Sequence, residues 1–99
     1  MSLFLELVFK QVKKIPLGKI TTYKEIAKAI GNKNASRAVG NVLNKNRDFE
    51  NIPCHRVIKS NGEIGGYIKG QKEKRIILKK EGIKIVNNKI NLTDFLFKF

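Results

Sequence analysis

The shortness of the chain is the feature that most constrains its fold. With 99 residues, it corresponds to one small domain, and a domain of this size buries only roughly two thirds of the surface that its unfolded chain exposes. This size argues against a large internal active-site cavity. Hydrophobic residues make up 41% of the chain, which is ordinary for a folded globular protein. We therefore expect one domain that spans residues 1–99.

The sequence contains no signal for membrane insertion or export. No stretch approaches the roughly 20 consecutive apolar residues that a membrane-spanning helix requires. The N-terminal segment, MSLFLELVFK, lacks the basic region and the small-residue cleavage site of a secretory signal. We therefore expect a soluble protein of the cytoplasm, without a membrane partner.

Positive charge dominates the composition. Lys and Arg total 21 against 8 for Asp and Glu, which gives a net charge of +13. Proteins with such a charge usually bind a polyanionic partner, and nucleic acid is the leading candidate. A lysine-rich solvated surface is the alternative. The arginines favour a specific site, because Arg37, Arg47 and Arg56, three of the four, lie close to Cys54 in the sequence.

Hydrophobic periodicity predicts two helices in the first third of the chain. The first, from Leu3 to Lys14, has apolar residues with i, i+3, i+4, i+7 spacing. These residues are Leu5, Val8, Phe9 and Val12. Thr22 and Glu25 form a capping box that should begin a second helix from Tyr23 to Ile30. Its predicted inward residues are Ile26, Ala27 and Ile30, and Gly31 should end it.

A third helix is predicted from Ala35 to about Asn44, with Asn34 as its N-cap. Its inward residues should be Ala38, Val39, Val42 and Leu43, and its other face carries Ser36, Arg37, Gly40, Asn41 and Asn44. Two short helices joined by a tight turn are typical of a helix-turn-helix. An ordinary helical hairpin, whose polar face meets water, explains the periodicity equally well.

The second half of the chain predicts short strands, a basic helix and an apolar tail. Val57 and Ile58 should form a hairpin with Glu63 and Ile64 across the turn Asn61-Gly62. A helix should run from Gln71 to Glu81. A second hairpin is predicted from Lys84–Val86, Asn87-Asn88 and Lys89–Asn91, and the apolar segment Leu92–Phe99 should dock on the domain or on a partner. The predicted fold class is mainly α with a small β-hairpin.

Cys54, in the run IPCHRV, is the strongest candidate for chemistry. One cysteine and one histidine exclude an internal disulfide and the usual four-ligand zinc site, so we expect no metal. A cysteine is nucleophilic only as the thiolate. His55 and Arg56 follow Cys54 directly, and Glu81 is a candidate for orienting the imidazole. A lone cysteine is otherwise a small buried hydrophobe, but these neighbours and Pro53 favour a reactive thiolate over a buried structural cysteine.

The string IPCHRVI resembles the active-site signature of the O6-alkylguanine-DNA alkyltransferases, which reverse the alkylation of guanine. The resemblance continues in matching order through ITTYKEIA, SRAVGNVLNKN, GEIGGY and a helix that ends in KKEGI, and it covers about residues 5–83. It implies a winged helix-turn-helix domain whose second helix enters the minor groove of double-stranded DNA that contains O6-alkylguanine. We expect such a protein to act as a monomer associated with the nucleoid. Residues 84–99, the predicted hairpin and tail, lie outside the resemblance.

The resemblance also implies catalytic roles for five residues. Cys54 would accept the alkyl group irreversibly, in a reaction that each molecule performs once and without a cofactor. His55 would be its water-mediated base, and Glu81 would polarise His55. Asn46 would brace the turn above the active site, and Tyr67 would help the guanine to depart.

Residues that bind the base and the DNA are implied in the same way. Tyr23 would rotate a phosphate and contact the flipped base, while Arg37 would fill the vacated stack. The carbonyls of Cys54 and Val57 would read the exocyclic amine of guanine, and the amide of Ile68 would face its O6. Further residues at DNA-contacting positions are Lys24, Asn32, Ala35, Ser36 and Ser60.

The chain departs from the family pattern in several places. Family members usually carry an additional N-terminal α/β domain, so we expect either a minimal alkyltransferase or a protein whose other part is a separate chain or absent. Arg47 stands where a proline is common, and Ile68-Lys69 replaces small or polar residues.

Two other classes of protein compete with the alkyltransferase interpretation. Alkyltransferase-like proteins are single-domain sensors that flip alkylguanine without repairing it. They typically have tryptophan or another residue in place of the cysteine, so Cys54 favours transfer. A plain winged-helix regulator would leave His55, Glu81 and Asn46 unexplained.

Overall fold

Five short helices and a two-stranded sheet make up residues 3–99, the part of the chain that the computed structural model describes. The elements in chain order are α1 (Leu3–Val12), β1 (Thr21–Thr22), α2 (Tyr23–Ala29), α3 (Ser36–Leu43), β2 (Val57–Ile58), α4 (Gln71–Lys80) and α5 (Leu92–Phe95). One 3₁₀ turn, Cys54–Arg56, leads directly into β2. The architecture is therefore mainly helical with a small β component, as predicted.

Helices α1, α2 and α3 pack around a first cluster of apolar side chains. Val8, Val12, Ile26 and Val39 are completely buried there, which confirms the periodicity used to predict these helices. The prediction that Ala38 points inward is wrong, because Ala35 is buried in its place and Ala38 is exposed. The buried stripe of α3 therefore follows i, i+4, i+7, i+8 spacing from Ala35, and Ala38 lies at the outer edge of that face.

The N-cap half of the predicted capping box of α2 forms, while the Glu25 carboxylate lies 3.4 Å from Lys28 Nζ. Thr22 is the N-cap, and its Oγ1 accepts a hydrogen bond from the Glu25 amide at 3.0 Å. Ile30 caps the other end, and Gly31 follows with a positive φ of 85°. The sequence signals for the beginning and the end of α2 are thus both confirmed.

The predicted N-cap of α3 is wrong. Ala35, not Asn34, occupies the N-cap position, and no side chain caps the helix. The turn is held by Asn32, whose Oδ1 accepts a hydrogen bond from the Asn34 amide at 3.3 Å and whose carbonyl accepts one from Ala35 at 3.0 Å. Because this turn uses an Asx-type contact two residues earlier, α3 begins one residue later than predicted.

The sheet pairs β1 with β2 in parallel, with Thr21 opposite Val57 and Thr22 opposite Ile58. The predicted hairpin partner of β2 is therefore wrong. The turn at Asn61-Gly62 does form, since the Lys59 amide donates to the Glu63 carbonyl at 2.9 Å, but Glu63 pairs with Lys89 and not with β2. The partner of β2 is β1, whose residues Thr21 and Thr22 are both buried. A two-residue turn such as Asn61-Gly62 joins antiparallel strands, so it could not indicate this parallel pairing.

The C-terminal segment lies on the domain, which confirms one of the two predicted locations for it. Val86 and Lys89 pair as predicted, across Asn87 and Asn88, which both have positive φ. After α5, the Phe97 amide donates to the Ile20 carbonyl at 2.7 Å, and the Ile20 amide donates to the Phe95 carbonyl at 3.0 Å. The tail thus runs beside β1 and covers a second apolar cluster. The buried members of that cluster are Ile20, Ile58, Ile64, Leu78, Ile83 and Ile90.

In residues 3–99, none of the helices combines the length and the apolar character needed to cross a membrane.

Candidate active site

The 3₁₀ turn Cys54–Arg56 positions the candidate nucleophile. Pro53 is its N-cap, and the Arg56 amide donates to the Pro53 carbonyl at 3.0 Å. A 3₁₀ turn rotates each side chain by about 120° from the preceding one, so Cys54, His55 and Arg56 point in three directions. The segment is thus a local turn and not an extended strand, which lets His55 reach the end of α4.

His55, Arg56 and Glu81 form a hydrogen-bonded network. Glu81 is the C-cap of α4, and its Oε2 lies 2.8 Å from His55 Nε2. Arg56 binds the same carboxylate with both arms of its guanidinium, Nε to Oε1 and Nη2 to Oε2, each at 2.9 Å. Its third contact, Nη1 to the Ile15 carbonyl at 2.8 Å, ties the network to the end of α1.

The ionisation of Glu81 and His55 follows from these contacts. Burial would raise the pKa of Glu81, but the hydrogen bonds from Arg56 and His55 outweigh it and hold this pKa below its ordinary value. Burial lowers the pKa of His55, and the Glu81 carboxylate opposes this only in part. His55 is then neutral at pH 7. Since a carboxylate only accepts hydrogen bonds, Nε2 carries the hydrogen and Nδ1 keeps its lone pair.

Asn46 contacts Cys54 directly. Its side-chain amide donates to the Ile52 carbonyl at 2.9 Å and approaches Cys54 Sγ to 3.3 Å. Its Oδ1 accepts a hydrogen bond from the Asp48 amide at 2.9 Å. Asn46 is 1% exposed, so these bonds hold both ends of the segment that leads to Cys54.

The prediction that Cys54 is not a buried cysteine is wrong, while the reactivity of its thiol stays a prediction. Cys54 is 6% exposed and belongs to the first apolar cluster. Burial raises the pKa of its thiol, although the Asn46 amide and the positive charge of Lys74 oppose the shift. The low local dielectric disfavours the charged form, so Cys54 is a buried thiol that needs a base.

Lys74 is a functional candidate that the sequence analysis missed. It is 0% exposed, and its Nζ donates to the Val57 carbonyl at 2.6 Å and to the Gly66 carbonyl at 3.0 Å. Burial lowers the pKa of Lys74 to about 7. The sequence could have indicated that Lys74 points inward, because Lys74, Leu78 and Glu81 follow i, i+4, i+7 spacing and so share the inner face of α4.

Tyr67 lies between His55 and Phe49. Its ring centroid is 6.5 Å from that of His55 and 6.2 Å from that of Phe49, in edge-to-face geometry in both cases. Burial is the main reason that the pKa of Tyr67 is raised to about 12. Its hydroxyl is therefore protonated and can donate a hydrogen bond at neutral pH.

Four residues that were predicted to contact DNA line one shallow surface depression of about 280 Å³. Tyr23, Lys24, Ser36 and Ser60 lie there together with Lys59 and Asn61. Gly65, with φ of 72°, lies beside Tyr23, and a side chain at this position would meet the tyrosine hydroxyl at 3.5 Å. The depression offers hydroxyl groups and ammonium groups, which are common phosphate donors.

The other residues that were predicted to contact the DNA or the base lie outside that depression. Arg37 is exposed on the outer face of α3, and within residues 3–99 its side chain has no hydrogen bond or ion pair. Asn32 is exposed in the turn before α3, whereas Ala35 is 9% exposed and presents little surface. Val57 is completely buried, and Ile68 is half-buried next to Tyr67.

No group of three or more His, Cys, Asp or Glu side chains in residues 3–99 has an arrangement that could hold a metal ion.

Comparisons with known proteins agree with the resemblance stated above. Residues 3–83 match the family described as "6-O-methylguanine DNA methyltransferase, DNA binding domain". The chain is 56% identical over 78 residues to a methylated-DNA–protein-cysteine methyltransferase of Saccharolobus islandicus, which covers 79% of this chain and 50% of that protein. It is 47% identical over 83 residues to a bifunctional methyltransferase/endonuclease of Picrophilus torridus, which covers 84% of this chain and 28% of that protein. The chain thus spans about half the length, or less, of these relatives.

Solved structures share the fold. Atl1 of S. pombe, in complex with damaged DNA containing O6-carboxymethylguanine, has a TM-score of 0.90 and 31% identity, and the match covers 100% of this chain and 98% of that one. OGT of Mycobacterium tuberculosis, in complex with DNA, has a TM-score of 0.80 and 39% identity, with 83% of this chain and 50% of that one covered. These matches confirm the predicted resemblance and fold class.

Proposed function

Because the chain belongs to the family of the 6-O-methylguanine DNA methyltransferase DNA-binding domain, we propose that it repairs DNA by direct reversal. It flips an O6-alkylguanine out of duplex DNA and transfers the alkyl group irreversibly to Cys54. The names of its relatives support this activity. Each molecule would react once, without a cofactor.

The observation that carries the proposal is the arrangement around Cys54. Its sulfur accepts a hydrogen bond from Asn46, and the adjacent His55 is fixed by Glu81 at 2.8 Å. A buried cysteine with a merely structural role needs neither an oriented base nor a donor on its sulfur. An oriented base activates a nucleophilic thiol, and a donor on the sulfur favours its thiolate.

His55 is the proposed base. Its Nε2–H donates to Glu81, which leaves Nδ1 to accept the thiol proton through a bridging water. Arg56 holds the Glu81 carboxylate with two hydrogen bonds, so this carboxylate stays ionised and favours the imidazolium that forms. The burial that raises the pKa of Cys54 also makes its thiolate a poorly solvated nucleophile once it is formed.

The transfer is an in-line displacement at the alkyl carbon. A Cys54 Sγ–C bond forms while the C–O6 bond breaks, and the bonding electron pair stays on the guanine oxygen. The guanine anion then takes up one proton, which balances the proton that His55 removed from the thiol. Tyr67 donates a hydrogen bond to O6 and keeps its own proton, in accordance with its pKa of about 12. The thioether product has no leaving group for a second turnover.

The depression around Tyr23 is the proposed phosphate site beside the flipped nucleotide. Lys24, Ser36 and Ser60 would hold the phosphate, and Tyr23 would contact the base. Arg37 would enter the minor groove from α3 and fill the space that the flipped base leaves. Flipping costs a few kcal/mol, which these contacts would offset.

A second function is favoured by one specific observation. The match to Atl1 extends over the whole chain, whereas the match to OGT covers half of that protein. The alternative is a sensor that binds the lesion and leaves the alkyl group on the base.

Intact-mass measurement separates the two functions. We expect duplex DNA with one O6-methylguanine to add one methyl mass to the protein, on the peptide that contains Cys54, with saturation at one equivalent. Cys54→Ser should abolish the mass change and retain binding to the duplex. Binding without a mass change in the unsubstituted protein would support the sensor, and transfer to another residue would exclude Cys54 as the acceptor.

A further inference from the structure

We propose that the C-terminal tail adds a third parallel strand to the sheet, and that Lys98, at the end of this strand, binds a DNA phosphate next to the depression around Tyr23. This inference rests on the proposed DNA binding and does not depend on alkyl transfer. It adds a contact outside residues 3–83, the part of the chain that matches the family.

Backbone hydrogen bonds place residues 95–97, which we call the tail strand, beside β1. Ile20, two residues before Thr22, forms a parallel bridge with Leu96. The Ile20 amide donates to the Phe95 carbonyl at 3.0 Å, and the Ile20 carbonyl accepts from the Phe97 amide at 2.7 Å. The hydroxyl of the next residue in β1 donates to the Phe97 carbonyl at 3.1 Å. The order is therefore tail strand, β1, β2, and all three run in parallel.

The side chains of the tail strand fix its position on the domain. Phe97 packs against the first apolar cluster, whereas Phe95 and Leu96 pack against the second. The Phe97 ring also contacts the Phe99 ring edge-to-face, with 5.3 Å between the centroids. Because both clusters hold the tail strand, the backbone that carries Lys98 is ordered before DNA binds, which reduces the entropy lost on binding.

A lysine follows each of the three strands. Lys24 comes after β1, Lys59 comes after β2, and Lys98 comes after the tail strand. Since the strands are parallel, these three lysines belong to the same edge of the sheet. Lys24 and Lys59 line the depression that is the proposed phosphate site. Neighbouring strands are about 4.8 Å apart, so the tail strand lies about 10 Å from β2, and Lys98 reaches a different phosphate from Lys59.

The ammonium group of Lys98 is available to an anion. Lys98 is exposed, and in the described part of the chain its side chain has no hydrogen bond or ion pair. A shallow cleft is lined by Lys98, Phe99, Glu25, Lys28 and Ala29. The Glu25 carboxylate lies 3.4 Å from Lys28 Nζ, so its charge is already balanced.

Duplex DNA is the occupant that fits this cleft. The cleft lies along α2, whose first two residues line the phosphate depression, so one polyanion can reach both places. The net charge of +13 favours a partner with many regularly spaced negative charges. Lys98 therefore extends the proposed DNA-binding surface beyond α2, on the side of the tail strand.

The salt dependence of binding to an undamaged duplex tests the contact. Each lost phosphate contact should lower the slope of log Kd against log salt concentration by about 0.9. Lys98→Ala should cause a loss of this size, and Lys98→Arg should retain the slope. The double variant Lys98→Ala, Lys24→Ala should lose about twice as much as either single variant, because the two lysines bind different phosphates. Fluorescence anisotropy at several salt concentrations measures these slopes.

Lys19→Ala is the matched control. Lys19 is exposed, and its Nζ lies 3.4 Å from the Asp94 carbonyl, so this lysine also touches the tail. It precedes β1, however, and therefore lies at the opposite edge of the sheet. Lys19→Ala should retain the slope. A retained slope in Lys98→Ala, or an equal loss in Lys98→Ala and Lys19→Ala, would overturn the contact.

Phe97→Ala tests whether the tail strand holds Lys98 in place. This substitution removes the ring from the first cluster and keeps the lysine. It should lower the slope as much as Lys98→Ala does, while Phe97→Leu, which keeps an apolar contact, should retain it. Urea unfolding shows whether each variant is folded. A full slope in folded Phe97→Ala would contradict a role for the tail strand, and Lys98→Ala tests the contact itself whether or not Phe97→Ala folds.

Methyl transfer at saturating DNA separates this contact from the proposed chemistry. Lys98→Ala should retain the single-turnover rate constant with O6-methylguanine duplex, because Lys98 follows the tail strand and lines neither the Cys54 turn nor the Tyr23 depression. Absence of transfer in the unsubstituted protein would count against alkyl transfer alone, since the slopes are measured on undamaged DNA. A reduced rate constant with an unchanged slope in Lys98→Ala would overturn the phosphate contact.

Discussion

At the scale of single residues, the proposed chemistry depends on which nitrogen of His55 carries the hydrogen. The Glu81 carboxylate lies 2.8 Å from Nε2 and can only accept, so Nδ1 is left as the base. A neutral amide at position 81 could instead donate to Nε2. The hydrogen would then move to Nδ1, which could no longer take the proton from the thiol.

Glu81→Gln should therefore slow alkyl transfer more than it weakens DNA binding. We expect a loss of about a hundredfold or more in the single-turnover rate constant, the usual contribution of a positioned general base. The measurement is a rapid-quench time course with O6-methylguanine duplex, together with an equilibrium binding titration. Glu50→Gln is a suitable control, because Glu50 is exposed. Equal loss of rate in the two variants would contradict the assigned role of Glu81.

How far the site could be predicted depended on whether its residues are close in sequence or carry a recognisable motif. Cys54 and His55 belong to one short motif, Glu81 was a candidate as one of few carboxylates and stands next to a glycine, and Asn46 came from the resemblance. Lys74 was missed because a lysine in a basic helix is normally solvated, and only the fold brings it under Val57 and Gly66. The burial of Cys54 was equally out of reach, because it results from packing of segments distant in sequence.

At the scale of elements, α4 and the small sheet are joined through Lys74. Its ammonium connects the carbonyl of Val57 in β2 to the carbonyl of Gly66 in the loop before Tyr67. We infer that Lys74 is a positioning residue, because the same charge that holds this loop also lowers the cost of ionising Cys54. A merely structural tether would not affect the thiol.

Lys74→Met should change two pH profiles. The pKa of Lys74 is lowered to about 7, against about 10.4 for an unperturbed lysine. Between these values the unfolded chain binds more protons, so the free energy of unfolding of the unsubstituted protein should rise with pH. From pH 7 to 8.5 this lysine should add on the order of 1 kcal/mol, and the variant should lack that rise.

The second profile is the reactivity of Cys54 with iodoacetamide. Lys74→Met should slow alkylation below pH 7, where the protonated lysine favours the Cys54 thiolate, and should change the rate less above pH 8, where Lys74 is neutral. Lys72→Met, which removes an exposed lysine of the same helix, should leave the rate unchanged at every pH. Urea unfolding at several pH values and the alkylation rates together check the prediction. If Lys74→Met loses stability but its alkylation rates match those of the unsubstituted protein at every pH, Lys74 has only a structural role.

Helices were easier to predict than strand pairing. The periodicity of α1 and the capping box of α2 are local signals, and each element appeared with its limits within about two residues. Residues Thr21 and Val57 are far apart in sequence, and nothing in either dipeptide indicates their parallel pairing. The nearby turn at Asn61-Gly62 pointed to a different partner, although that turn itself was correctly placed.

At the scale of the whole molecule, the surface carries a large positive charge that is hardly neutralised by its own acids. The net charge is +13, and within residues 3–99 the one lysine in an ion pair is Lys28, which lies 3.4 Å from Glu25. Such charges repel one another in the folded state. Binding of a polyanion would relieve the repulsion, so DNA should raise the stability of the fold as well as occupy the site.

Affinity for DNA should consequently fall steeply with salt. Each phosphate contact contributes about 0.9 to the slope of log Kd against log salt concentration, and Lys24 lies in the proposed phosphate depression. Lys24→Ala should thus reduce the slope by about one contact. Lys10→Ala, which removes an exposed lysine from α1, should retain the slope. Fluorescence anisotropy at several salt concentrations measures both. If both substitutions reduce the slope of log Kd against log salt concentration equally, the positive charge of the protein acts as a diffuse field and the depression is not a phosphate site.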